Sequence, residues 1–79
     1  MTVDLFPNPV SDLLQVKFND RIEQDLVLKM WSSNGQLLQQ KILRDQDVFE
    51  IDFAAYSNGL YLFQLIGENI NLIERVIKE

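Results

Sequence analysis

The chain has 79 residues, 47% of them hydrophobic, including five Phe, two Tyr and one Trp, which suits one globular domain over residues 1–79 with a thin core. Twelve acidic against seven basic residues leave a net charge of −5, and the Lys and Arg are scattered singly, which excludes a nucleic-acid footprint and a polybasic membrane patch. No apolar run approaches the roughly 20 residues of a bilayer span, so direct membrane insertion is not expected, and no segment reads as a signal peptide.

Thr2 to Phe6 alternates apolar and polar residues and then meets Pro7-Asn8-Pro9. Residues that precede proline are driven to extended geometry, and proline has no N–H to give a ladder, so this segment predicts a stiff corner at a sheet edge or exit. Ser11 and Asp12 offer side-chain oxygens to a turn. Leu14, Val16 and Phe18 alternate with Gln15 and Lys17, as in a strand with one wet face. Asn19 to Gln24 is polar and turn-like. Leu26, Leu28 and Met30 alternate with Val27, Lys29 and Trp31, and the run ends at Ser32-Ser33-Asn34-Gly35. Asn-Gly is a strong hairpin signal because both residues tolerate positive φ.

Gln36 to Leu43 is wet in its middle (Gln39, Gln40, Lys41), which suits an edge strand guarded by polar side chains. Arg44 to Asp47 is a charged loop, and Val48 to Phe53 alternates again with Phe49, Ile51 and Phe53 on one side. Gly59 opens the most continuous apolar run, Leu60 to Ile66, which predicts a central strand covered on both faces. Gly67-Glu68-Asn69 makes a turn into a final strand, Ile70 to Ile77. A helix over Ile70 to Lys78 is the local rival, but the short preceding turn and the β-branched content favour a strand. About seven strands spaced by 8–12 residues predict an all-β antiparallel sandwich.

Candidate chemistry is sparse. The chain has no His and no Cys, which removes the commonest general base, the commonest thiol nucleophile and two favoured zinc ligands. Asp45 and Asp47 near Glu50 lack the spacing, central Gly and terminal Glu of a calcium loop. No enzyme activity, cofactor or metal site is expected, and recognition remains. Trp31 and Tyr61 could stack on sugars if both faced solvent, but aromatics in alternating strands favour the core. Tyr61, just after Gly59 at a strand start, stands where a sandwich tyrosine ties its hydroxyl to a nearby backbone group.

Taken together, Phe6-Pro7-Asn8-Pro9-Val10 with Ser11-Asp12, Met30-Trp31-Ser32-Ser33-Asn34-Gly35-Gln36-Leu37-Leu38, Ile51-Asp52-Phe53 with Asn58-Gly59-Leu60-Tyr61-Leu62, and the closing Arg75-Val76-Ile77-Lys78 resemble the C-terminal sorting domain of the type IX secretion system of Bacteroidetes, type A form. Their order and spacing, from about Val3 to Glu79, carry the resemblance. Two departures stand out: Tyr56-Ser57-Asn58 lacks the family's frequent proline, and Glu74 and Glu79 flank the final basic residues.

The resemblance implies an immunoglobulin-like sandwich following an N-terminal cargo, so that Met1 would begin an excised fragment. Its implied partners are the type IX translocon and outer-membrane shuttle or sortase proteins, the sortase removing the domain and joining the cargo to anionic lipopolysaccharide. The implied destination is the cell surface or the medium, through periplasm and outer membrane. Candidate recognition residues are Pro7, Asn8, Pro9, Asn34, Gly35, Gly59, Tyr61, Arg75, Val76, Ile77 and Lys78. A monomer with weak edge-strand self-association at high concentration is expected. A carbohydrate-binding or structural module of a surface protein is the alternative.

Overall fold

The structure, a computed structural model, describes residues 2–19, 23–44 and 48–79. Seven strands follow in order: β1 (Val3–Phe6), β2 (Leu13–Phe18), β3 (Leu26–Ser32), β4 (Leu37–Leu43), β5 (Val48–Asp52), β6 (Gly59–Ile66) and β7 (Asn71–Lys78). They form two antiparallel sheets, β1-β2-β5 and β4-β3-β6-β7, packed as a β-sandwich. The helical alternative for the last segment is excluded, because β7 pairs with β6 from Gly59↔Lys78 to Ile66↔Asn71.

Period-two alternation builds the core. Leu14, Val16 and Phe18 from β2, Leu26, Leu28 and Met30 from β3, Ile51 from β5, Phe63 and Leu65 from β6 and Val76 from β7 all point between the sheets and are buried. Each such side chain contributes about 1.5–3 kcal/mol by leaving water. The adjacent Val10, Leu43, Phe53 and Tyr61 complete this layer. β6 is central within its sheet, flanked by β3 and β7. The expectation that it is covered on both faces is corrected: Leu62, Gln64 and Ile66 are only half-buried and Leu60 is exposed, because among the described residues no element packs on the sandwich's outer side.

The β3–β4 connection is a hairpin, but not of the two-residue kind. Gly35 N–H donates to the Ser32 carbonyl at 3.0 Å, Ser32 N–H donates to the Gln36 carbonyl at 2.9 Å, and Gly35 alone supplies a φ of +88°. This is a three-residue loop with glycine in the left-handed position. The Ser32 hydroxyl, which accepts the Gln36 amide, helps to set it. At the β6–β7 turn, Gly67 N–H donates to the Ile70 carbonyl, and a Cβ on Gly67 would stand 2.6 Å from Leu26 Cδ2, so the position has no room for a side chain.

Candidate recognition surface

β1 belongs to one sheet, and the residues just after it belong to the other. β1 pairs with β2 through Phe6↔Gln15. Past Pro7 the chain crosses the side of the sandwich and lies against the outer edge of β7. Both proline peptide bonds are cis.

Asn8 acts there as a surrogate strand residue. Its Nδ2 donates to the Arg75 carbonyl at 3.0 Å, and its Oδ1 accepts the Ile77 amide at 3.0 Å. Val10 continues with its main chain, donating to the Ile77 carbonyl at 2.8 Å and accepting the Glu79 amide at 2.9 Å, in parallel orientation to β7. The prolines cannot donate to a ladder, so a side-chain amide meets the edge where a proline amide could not. The fully buried Val10 side chain anchors the crossover. Asp12 contributes its main-chain carbonyl, which accepts the Phe53 amide at 2.7 Å, and the side-chain cap at Asp52, whose Oδ1 accepts the Ala54 amide, was not anticipated from sequence.

The other signatures gather at the same end of the four-stranded sheet. Ser32 pairs with Tyr61, Tyr61 with Val76 and Gly59 with Lys78, so the β3–β4 turn, the start of β6 and the end of β7 form one pole. Asn34, Asn58 and Gly59 line a shallow cleft of about 250 Å³ between the two Asn-Gly segments. Below it Phe53, Tyr56 and Tyr61 make a mutually packed aromatic cluster, with ring centroids of 5.2 to 5.6 Å between pairs. The Tyr61 hydroxyl donates to the Ser57 carbonyl at 2.5 Å, tying down the loop before β6. Gln39, expected to be wet, instead donates to the Tyr56 hydroxyl.

Burial divides the candidate residues. Tyr61 (7% exposed) and Val76 (0%) face the core, and Lys78 keeps only 9% exposure. Val76 and Lys78 sit within the fold because even-numbered positions of β7 point inward from Val76 onward, and Tyr61 takes the structural role expected of it, its hydroxyl tied to the Ser57 backbone. Pro7, Asn8, Pro9, Asn34, Gly35, Gly59, Arg75 and Ile77 are exposed. Val10, absent from the sequence-based set, is as central to the junction as Asn8.

The family described as a secretion system C-terminal sorting domain matches residues 4–79. The chain belongs to that family. It is thus a sorting signal of the type IX secretion system, implying interaction with that machinery, an N-terminal cargo and export across the outer membrane. No curated protein matches it significantly.

Around the junction, the sorting domain presents two further features. The outer face of the four-stranded sheet carries Trp31, which is half-buried and not part of the core, so the expectation of a core tryptophan is corrected. Its Nε1 donates to Gln64 at 2.9 Å, and the Lys29 ammonium lies 5.9 Å from its ring centre. Beside it lies a cleft of about 290 Å³ formed with Leu62 and Ile73. On the open side of the sandwich, β1 and β7 flank a larger cleft of about 410 Å³, lined by Val3, Asp4, Leu5, Phe6, Asn8, Glu74 and Arg75. Among the described residues no His, Cys, Asp and Glu cluster could hold a metal ion. The calcium reading rests on Asp45 and Asp47, which lie outside the described residues.

Proposed function

We propose that the folded sandwich is read by the type IX translocon and an outer-membrane shuttle, and that a surface sortase then removes it from its cargo. In this reading the domain is of the type A form found in Bacteroidetes, performs no chemistry of its own, and delivers the cargo to the cell surface or the medium. The observation that carries the reading is the family match across residues 4–79. Its geometry is suited to the task, because a label needs a fixed backbone shape and a few exposed groups. The Pro7-Asn8-Pro9 crossover fixes the end of β7 and leaves Arg75 and Ile77 exposed beside it.

The test is delivery of a fluorescent reporter fused ahead of residues 1–79, behind a signal peptide, in a Bacteroidetes host. Removing residues 74–79 would delete Val76 from the core, so an outward-only variant, Arg75→Glu with Ile77→Lys, is the cleaner comparison. The expected result is surface delivery of the parent and periplasmic retention of the variant, with both equally resistant to protease. Retention of the parent in a host with an intact translocon would sink the reading. Calorimetry with neutral and anionic oligosaccharides addresses the glycan alternative, which the row of Lys29, Trp31 and Gln64 favours.

A further inference from the structure

β7 is covered along only half of its outer edge. Because Arg75 and Ile77 turn their main-chain groups outward to Asn8 and Val10, alternation turns those of Ile73 outward too, together with the Arg75 amide. Among the described residues no hydrogen-bond partner meets them on that side. β1 would run beside them, but it stays in the opposite sheet until it crosses at Pro7. The lane next to Ile73 is therefore open, and the Ile73 side chain is 58% exposed.

At its Glu74–Arg75 end this lane opens onto the cleft of about 410 Å³ between β1 and β7. A strand added along Asn71–Arg75 would send alternate side chains between the sheets, next to Glu74. They would meet apolar Val3 and Leu5 from the opposite sheet and the Glu74 side chain, which lies in phase with Leu72 and Val76 on the inner face of β7, with Arg75 at the rim. The site thus takes an extended main chain with an apolar stem and a cationic tip between the sheets, a combination that lysine and arginine side chains supply. The segment at Asn8 and Val10 already shows that this edge accepts an extended chain in parallel orientation.

We propose that the open half of β7 is a strand-addition site for an extended segment of a partner protein that carries a lysine or arginine among apolar residues. That the partner belongs to the export machinery rests on the reading above; the strand addition rests on the edge and the cleft. Main-chain bonds would supply affinity, and the Glu74 carboxylate would select the cation as a cross-strand partner.

The test uses the 79-residue chain with a capped peptide, Val-Thr-Val-Lys-Val-Thr-Val, and the same peptide with norleucine for lysine, followed by amide exchange and chemical shifts. The expected result is at least about tenfold slower exchange at Ile73 and Arg75, with shifts confined to β1 and to Asn71–Arg75. Glu74→Gln should weaken the lysine peptide about threefold and leave the norleucine peptide unchanged. No protection at millimolar peptide, or shifts centred on Trp31, would overturn the proposal. Protection that rises with the concentration of the chain alone would overturn it in favour of a second copy as occupant. Peptide binding with failed reporter export would count against the sorting reading only, and export with no peptide protection would count against strand addition only.

Discussion

The four-stranded sheet has two edges, and the chain guards them differently. At β4 the guard is made of side chains: Gln40 and Lys41 stand exposed along the strand, and Gln39 is held by Tyr56. At β7 the guard is a piece of main chain brought from the other sheet, with Asn8 and Val10 satisfying Arg75, Ile77 and Glu79. Polar side chains discourage pairing everywhere along an edge without using its hydrogen bonds. A main-chain guard uses the bonds where it lies and leaves the rest free. The difference explains why one edge of this sheet is blunted by polar side chains along its middle while the other is closed beside Ile77 and open beside Ile73.

The largest expected effect lies at the turn that launches β7. Gly67→Ala would bring a Cβ to 2.6 Å from Leu26 Cδ2 and 2.8 Å from Gln24 Oε1. Leu26 is fully buried, and Gln24 Oε1 accepts the Glu68 amide, so neither retreats freely. A loss of about 1–3 kcal/mol is expected from the overpacking, read as a lower denaturant midpoint at unchanged slope. Unchanged stability would mean that the β6–β7 turn shifts as a unit, and that the β7 edge is less fixed than its bonds suggest.

Asn8→Ala strikes the main-chain guard itself. It removes two hydrogen bonds at an exposed site where water can replace them, so about 1–2 kcal/mol is expected. The more telling readout is association: with Arg75 and Ile77 released, the open lane lengthens, and sedimentation should show dimers at concentrations where the parent is monomeric. A variant that loses stability but stays monomeric would show that Val10 alone suffices to close the edge.

The strands were legible from sequence because alternation is a local signal, and the boundaries differ from it by a residue at most ends. Even Trp31 was legible in part, since it stands out of phase with Leu26, Leu28 and Met30 on the same strand. Treating it as a core aromatic let residue type override the period. The Asn34-Gly35 turn was placed correctly but its loop was not, because the Ser32 hydroxyl and carbonyl both take part in closing it. The junction at β7 was beyond a local reading: Asn8 and Arg75 are 67 positions apart. The proline pair announced a corner, and only the sheet order says which edge the corner covers.

The smallest effect on stability is expected at the other edge, where it sharpens the contrast. Gln40 is exposed on β4 opposite Lys29, so Gln40→Val leaves the core untouched and should change stability by less than about 0.5 kcal/mol. It also places a β-branched apolar residue next but one to Ile42, which is already 57% exposed. If polar side chains are what blunts β4, this single change should produce concentration-dependent association that rises with temperature, seen by light scattering, while the folded signal is unaltered. Association should be relieved by Ile42→Lys in the same chain, because a charge on the edge restores the block to pairing. A Gln40→Val chain that remains monomeric to millimolar concentration would show that β4 is protected by its bulge near Trp31 and Leu37, which turns the strand's hydrogen-bonding groups out of line, and both edges of the sheet would then be guarded by backbone geometry.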